Sequence, residues 1–382
     1  MNVKPRILVL TLSFGSGHLR ASQTIAKELK HLAPGAQVAV IDALERCRWW
    51  FYAFYAAPYW LMVRYFPRAW RRLFETRVTN RHARTAPEWA FRAGCAQVFE
   101  AIRQVNPDAI VAVEVAACEM AAIAKREGFT AARLISVITD HEAEPVWVKD
   151  EVDAYAVADE GVREQLILWG APGNKIEVTG IAVDGSFAIK GRQQDSPSNS
   201  SSKPLVLLMG GGMGPTRMDR VAEGLCKSGE PMRIVAVTGH DRRVQKRLSR
   251  VRAHAPVSLQ VVGWADDVAS LMRAADLLIT KPGGVTISEA ALCGLPAVLF
   301  DSLPGPEESN AARLASSGAA LITRGVEETI EAAISLLRDE QARRDMSLKA
   351  RQFASPYAAV SIARIILDNG YLPTQVARTR TA

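Results

Sequence analysis

The chain has 382 residues, with 47 Lys and Arg against 40 Asp and Glu, a net charge of +7, 48% hydrophobic and 7% aromatic residues. This is a globular composition with length enough for two domains, and it excludes a disordered or collagen-like chain. The charge is uneven: residues 1–94 carry 15 basic and 5 acidic side chains, a surplus of +10, which leaves −3 for residues 95–382.

The start, Lys4-Pro5-Arg6 followed by an apolar run to Phe14, imitates a secretory leader, but no small-residue cleavage site follows. The run reads instead as a buried first strand, Arg6–Leu12. Gly15-Ser16-Gly17-His18 then opens a helix over Leu19–His31. Small residues let a backbone approach a ligand, and a helix N-terminus offers unpaired N–H groups; tight turns use glycine as well. No Gly-Lys-Ser/Thr follows, so this is not a P-loop, and the dinucleotide fingerprint is incomplete. His18 lies at a strand's carboxyl end, where doubly wound sheets bind ligands. It is either a capping residue or a general base that titrates near neutrality.

After a second strand, Gln37–Ile41, the window Arg46–Arg92 holds 14 of the 26 aromatic residues and ten arginines, with Glu75 and Glu88 as its only acids. Trp49, Trp50, Tyr59 and Trp60 lead into a run with Arg68, Trp70, Arg71 and Arg72 at helical spacing. Such a patch calls for an anionic, partly apolar partner. The charge-free stretch Trp49–Val63 has 15 residues and contains Pro58, whereas crossing hydrocarbon takes about 20. It does not span, but the composition suits the headgroup plane of a membrane. Nucleic acid would use the same residue types, yet no recognised nucleic-acid fold is visible. The plain alternative is a helix packed on the first domain with its arginines in water.

Further short apolar runs read as strands at Ala109–Val113, Arg133–Ile138, Ala154–Ala158 and Lys175–Val178. A second series follows at Leu205–Met209, Arg233–Thr238, Ser258–Val262, Leu277–Thr280, Ala297–Phe300 and Ala319–Ile322. Helices are expected between them, among others at Met218–Lys227, Asp241–Ala253, Val285–Cys293, Glu307–Ser316 and Val326–Arg338. This α/β alternation argues for parallel sheets covered on both faces. The stretch Gln193–Pro204 cannot support a packed element. The domains are therefore residues 1–184, a linker at 185–204, residues 205–354, and a tail at 355–382 whose amphipathic helix is expected to cross back to the first domain. The five cysteines are scattered without zinc spacing and read as reduced thiols in a cytosolic protein, with no metal site.

Three loops of the second domain carry chemistry. Gly210-Gly211-Gly212-Met213-Gly214 follows a strand directly, a costly use of glycine that a close-approaching phosphate would justify. Thr238-Gly239-His240 ends the next strand, with Arg242 and Arg243 following either toward that ligand or on a solvated helix face. Gly263-Trp264-Ala265-Asp266-Asp267 precedes a helix that the two aspartates are placed to cap. Lys281-Pro282-Gly283-Gly284 with Thr286 and Glu289 forms a second anion seat at a strand-to-helix turn. Glu289 either chelates vicinal hydroxyls, as an acid does on a ribose, or stabilises the helix N-terminus. Glu307 and Asn310 begin another helix after the next strand.

As a set, these motifs resemble the monogalactosyldiacylglycerol synthases and the processive diacylglycerol glucosyltransferases, relatives of the peptidoglycan N-acetylglucosaminyltransferase that acts on lipid carriers. The resemblance runs from Ile7 to Ile366 and includes Ala21-Ser22, Thr139-Asp140, Pro145, Trp147, Val152-Asp153 and Val178-Thr179-Gly180-Ile181. It implies a GT-B fold, with two Rossmann-like domains facing a central cleft. It also implies an inverting, metal-independent transfer of a hexose from UDP-glucose or UDP-galactose to diacylglycerol or a glycolipid, with no cofactor, on the inner face of the cell membrane. By position, Gly211, Gly212, Gly214, Gly239, Gly283, Gly284 and Thr286 match the donor seat, Glu289 the ribose contact, Trp264 the uracil loop, and Glu307 and Asn310 the sugar end. His18 and Asp140 line the acceptor side, with His18 as the base. Two departures stand out. Gly305-Pro306-Glu307 replaces the family's Gly-Gln-Glu, and Glu144-Pro145 replaces its His-Pro, with His141 as the aromatic residue after Thr-Asp. Two other readings are a non-enzymatic membrane protein that binds UDP-sugars and a UDP-sugar enzyme with another acceptor or none, such as an epimerase.

Overall fold

A computed structural model of the chain describes residues 4–13, 15–80, 85–188, 203–210 and 216–368. Two compact units form, Met1–Val183 with Tyr357–Ala382, and Asp184–Pro356. The first contains a parallel sheet of β1 (Arg6–Thr11), β2 (Gln37–Asp42), β3 (Ala109–Ala112), β4 (Arg133–Val137), β5 (Ala154–Val157) and β6 (Ile176–Val178), in the order β2-β1-β3-β4-β5-β6. The second contains β7 (Leu205–Met209), β8 (Arg233–Val237), β9 (Ser258–Val262), β10 (Leu277–Thr280), β11 (Ala297–Leu299) and β12 (Ala320–Ile322), in the order β12-β11-β10-β7-β8-β9. Each is the doubly wound half of a GT-B fold.

Every strand expected from the sequence forms within one residue of its expected ends. The reason is that the central strands are buried on both faces: β3, β7 and β10 have no exposed position, so they read as unbroken apolar runs. Helices Met218–Lys227 and Val326–Arg338 have the expected limits. The helix expected over Asp241–Ala253 covers only Arg242–Leu248. Asp241 caps its start through the amides of Arg243 and Val244, both at 2.9 Å, and the Ser249 hydroxyl donates to the Gln245 carbonyl at 2.8 Å as the helix ends.

Strand order fixes where each unit can bind a ligand. The connections reverse direction between β1 and β3 in the first unit and between β7 and β10 in the second, and the crevice at such a reversal lies beyond the strands' carboxyl ends. The helix Ala358–Leu367 packs on helix Ser16–Leu32 of the first unit, where the Arg133 guanidinium donates to the Ile365 carbonyl at 2.7 Å. Residues 184–188 pack into the second unit: the Phe187 carbonyl accepts from the Cys293 thiol at 3.3 Å.

Candidate active site

At the first reversal, helix Ser16–Leu32 starts directly after β1, and His18 is the third residue of its first turn. Its Nδ1 lies 3.0 Å from the hydroxyl of Thr139, which follows β4. Burial pushes the half-buried imidazole below its ordinary pKa, against the opposing pull of Asp140 and of the Val113 carbonyl. His18 is thus a neutral base at physiological pH, held by groups from three adjacent strand ends, with Asp140 on the same rim.

Glu114 follows β3 on this rim and escaped the sequence reading. It is 6% exposed and caps helix Val115–Arg126, with Oε2 accepting from the amides of Ala116 at 2.7 Å and Ala117 at 3.2 Å. Burial raises its pKa to about 7 against the pull of those amides and of Arg77, while Glu144 raises it further. Glutamate is not among the favoured N-cap residues, and that was the available signal.

Glu144, the departure from the family's His-Pro, is 7% exposed. It binds the Arg77 guanidinium bidentately, through Nε and through Nη2, the latter at 2.6 Å. Arg77 also lies 5.9 Å from the ring centroids of both Trp70 and Phe74. An arginine that looks solvated in a basic window therefore ties the aromatic segment to Glu144. Burial, reinforced by the charge of Glu114, holds the Tyr55 phenol well above its usual pKa beside this pair.

The segment itself forms a short helix Trp49–Phe51, a π-helical turn Tyr52–Ala56, and helices Ala57–Tyr65 and Pro67–Thr79. Tyr59 meets Trp60 and Trp70 edge-on at 5.0 and 5.1 Å, and Trp50 packs edge-on to Phe51 at 6.2 Å, so these four residues are half-buried structural contacts. Trp49, Arg68, Arg71 and Arg72 are exposed. So are Tyr52, Phe54, Leu61, Tyr65, Phe66 and Leu73. Among the described residues no helix is long and apolar enough to cross a membrane, and no cluster of three His, Cys, Asp or Glu side chains is arranged to hold a metal ion.

In the second unit, Gly211, Gly212 and Gly214 lie outside the described residues. The chain resumes after them at Thr216, and Arg217 anchors it to Asp301 after β11. Its amide donates to Oδ2 and its Nε to Oδ1, both at 2.8 Å. After β10, Gly283 caps helix Gly284–Leu292, at the turn expected to seat an anion. A Cβ on Gly283 would meet nothing closer than the Thr286 hydroxyl at 3.9 Å, so the chain's own packing does not demand glycine there. Thr286 is half-buried on the first turn, and Glu289 is 2% exposed one turn further on.

Asn310 is fully buried and donates from Nδ2 to the Pro282 carbonyl at 3.1 Å. It therefore braces the turn into the anion seat. Glu307 accepts from the Leu303 amide at 2.8 Å and lies 3.7 Å from the buried Lys281 ammonium. Pro306 occupies the first turn of helix Pro306–Ser316 behind Gly305, whose φ of 104° requires glycine. After β8, Gly239 also adopts a positive φ, 60°. His240 stacks on Trp264 at 4.3 Å and 13°, and Trp264 donates from Nε1 to Asp266 at 3.0 Å. Only Asp267 caps the following helix, through the Ser270 amide at 2.9 Å. The indole is 44% exposed, a flat surface suited to a heterocycle.

This arrangement predicts the effect of one methyl group. Gly283→Ala is expected to leave the melting temperature within about 2 °C of the parent, because the site has room. It should weaken UDP binding by about tenfold or more, the worth of a lost charge-assisted hydrogen bond. Isothermal titration with UDP checks this, and unaltered affinity would remove the turn from the binding site.

Residues 18–183 match the family described as monogalactosyldiacylglycerol (MGDG) synthase, and residues 214–353 match glycosyl transferases group 1. The chain is 26% identical to a processive diacylglycerol beta-glucosyltransferase of Bacillus pumilus, across 98% of this chain and 97% of that one. Among solved structures, it resembles the Acinetobacter baumannii MurG at a TM-score of 0.64 and 18% identity, over 95% and 99% of the two chains. It also resembles Anabaena Alr3699/HepE, solved in complex with UDP, at 0.56 and 17%, over 95% and 100%.

Proposed function

We propose that this chain, which joins a domain of the monogalactosyldiacylglycerol synthase family to one of the group 1 glycosyl transferases, transfers a hexose from a UDP-sugar to diacylglycerol or a related membrane lipid. The observation that carries the reading is the pair of reversal points. One presents a neutral imidazole and the other a helix start stripped of side chains. The names of the relatives support the lipid acceptor and the hexosyl transfer.

In this mechanism the acceptor hydroxyl loses its proton to His18 as its oxygen attacks the anomeric carbon. Direct displacement inverts that carbon, and positive charge develops in the sugar ring. UDP departs with the bonding electron pair. The N–H groups opening helix Gly284–Leu292 stabilise the leaving diphosphate through the helix dipole, so the reading requires neither a metal ion nor a cofactor. Glu289 takes the ribose hydroxyls, Trp264 the uracil face, and Glu307 the donor sugar.

Radiolabelled UDP-glucose and UDP-galactose, each incubated with diacylglycerol vesicles, test the reading directly. Label should move into an organic-soluble lipid, and an α-linked donor should give a β-linked product. Equilibrium UDP binding with no labelled lipid from either donor would favour a binding protein, and release of free sugar would favour another acceptor.

The exposed apolar side chains of residues 49–73, interleaved with Arg68, Arg71 and Arg72, support work at an anionic membrane surface on the cytoplasmic side. Replacing those three arginines by glutamine should cost about 1 kcal/mol each at low salt, a partition change of roughly 100-fold in vesicle flotation. The parent protein should lose binding as salt rises. Equal flotation of the triple variant, or retention on DNA instead, would rule out this surface as the lipid contact.

A further inference from the structure

Six cations stand between Arg242 and Arg252 with no acid among them, although residues 95–382 carry a net −3. Among the described residues only one of the six makes an ion pair: Arg247 Nε lies 2.5 Å from Asp219. The transfer reaction assigns this run no task. After helix Arg242–Leu248 ends, Val251 and Ala253 pack against the core of the second unit, while Arg250, Arg252 and His254 are exposed. The alternation anchors the backbone and sends three basic side chains away from the core.

With Lys227 and Arg247, these three line an open cavity of about 690 Å³, a volume that suits a small molecule. Its acidic lining residue, Glu223, lies 2.6 Å from Lys227, and Arg247 has Asp219. Arg250, Arg252 and His254 have no side-chain partner among the described residues. Two guanidinium groups held beside each other in a concavity repel, and an anion between them relieves that cost. The cavity is also separate from the donor turns. Lys227 closes the helix that leads into β8, and Arg250–His254 lead into β9, so both face the strands' amino ends. Gly239 and Gly283 follow β8 and β10, at the carboxyl ends.

Charge and surroundings define what fits. Lys227, Arg247, Arg250 and Arg252 against the carboxylates of Glu223 and Asp219 leave a surplus of two positive charges. Guanidinium forks match phosphate oxygens in pairs. Among the described residues, no exposed large apolar side chain lies between Val178 and Trp264. The cleft thus lacks the anchors with which residues 49–73 could enter a bilayer, and this favours a dissolved ligand over a lipid headgroup. We propose that the cleft binds a soluble ligand bearing two phosphoryl groups, at the same time as the donor turns hold UDP.

Isothermal titration of the full chain with inorganic pyrophosphate, with UDP kept at saturation to occupy the donor turns, tests the site. One pyrophosphate should bind per chain, more weakly as salt rises. Arg250→Gln combined with Arg252→Gln should lower its affinity by about tenfold or more, the worth of lost charge-assisted hydrogen bonds. Melting temperature, UDP affinity and transfer should stay at the parent's values in that variant. Arg242→Gln combined with Arg243→Gln removes the same charge at the other end of the helix, and pyrophosphate affinity should stay within about twofold. No pyrophosphate bound beside UDP, or equal losses in the two double variants, overturns the proposal. Flotation with phosphatidylglycerol vesicles separates the other source of phosphate. It should be the same for the Arg250 and Arg252 variant as for the parent; a loss there, with no pyrophosphate bound by the parent, would make the cleft a membrane contact instead. Should UDP itself not bind, the donor reading fails, while the comparison of the two double variants still decides this site.

Discussion

Replacing His18 by alanine is expected to lower turnover by about 10²- to 10⁴-fold, the usual worth of a positioned general base, while UDP affinity stays within a factor of two. The two effects separate because the imidazole belongs to the first unit and the anion seat to the second. Burial acts against the charged imidazole and lowers its pKa from the ordinary 6.5. The neutral, proton-accepting form therefore predominates at pH 7, and it is lost as pH falls through the lowered value. The parent should show an acid limb in kcat with its midpoint below pH 6.5, and the alanine variant should lack it. The vacated Thr139 hydroxyl costs about 1 kcal/mol of stability, so a folding control by thermal melting accompanies the kinetics. Turnover that survives in the variant, or an acid limb that persists, would take His18 out of the reaction.

The largest effect on stability is expected from Arg77→Met. Methionine keeps the stem that packs near Trp70 and Phe74 but leaves Glu144 buried without its cation. Breaking a buried ion pair from one side costs about 3–5 kcal/mol, and the 24% exposure of the Arg77 side chain places the expected loss at the lower end, about 3 kcal/mol. Urea titration of the full chain measures it. The double variant Arg77→Met with Glu144→Leu should recover most of the loss, because replacing both partners by apolar groups removes the orphaned charge. A single variant as stable as the parent would mean that Glu144 is solvated and that Arg77 does not hold the rim together. UDP binding again provides the control in the second unit.

These two residues also show where reading a sequence succeeds and where it stops. Strands were legible because each is a short apolar run with polar ends, and His18 was legible because a strand, a glycine loop and a helix adjoin in the chain. Gly283, Gly284, Thr286 and Glu289 lie at one strand-to-helix turn, and that placement was legible for the same reason. Arg77 and Glu144 are 67 positions apart. Separately they look like one more arginine in a basic window and an acid in a loop; only the order of the strand ends brings them together. Asn310 carries a contact that its motif does not announce: its amide reaches the Pro282 carbonyl on another element. Of the aromatic residues chosen for a lipid surface, Tyr59, Trp60 and Trp70 pack on one another. Composition reports how many rings a segment has, and packing decides which of them face outward.

β2 is the edge of its sheet, paired only with β1, and the helices carrying Trp49, Phe54 and the exposed arginines are inserted after it. A chain that leaves from an edge can lengthen, shorten or change composition without disturbing any strand register. His18 and Glu114, by contrast, follow the two innermost strands at the reversal, where a shift of one residue would displace every neighbour. The first unit is thus divided into exposed positions that can change and anchors that cannot. Trp49, Phe54, Arg68, Arg71 and Arg72 can be rewritten, and with them the surface the segment presents, while buried Phe51 and Phe74 and the Arg77–Glu144 pair keep that segment fixed to the rim around His18.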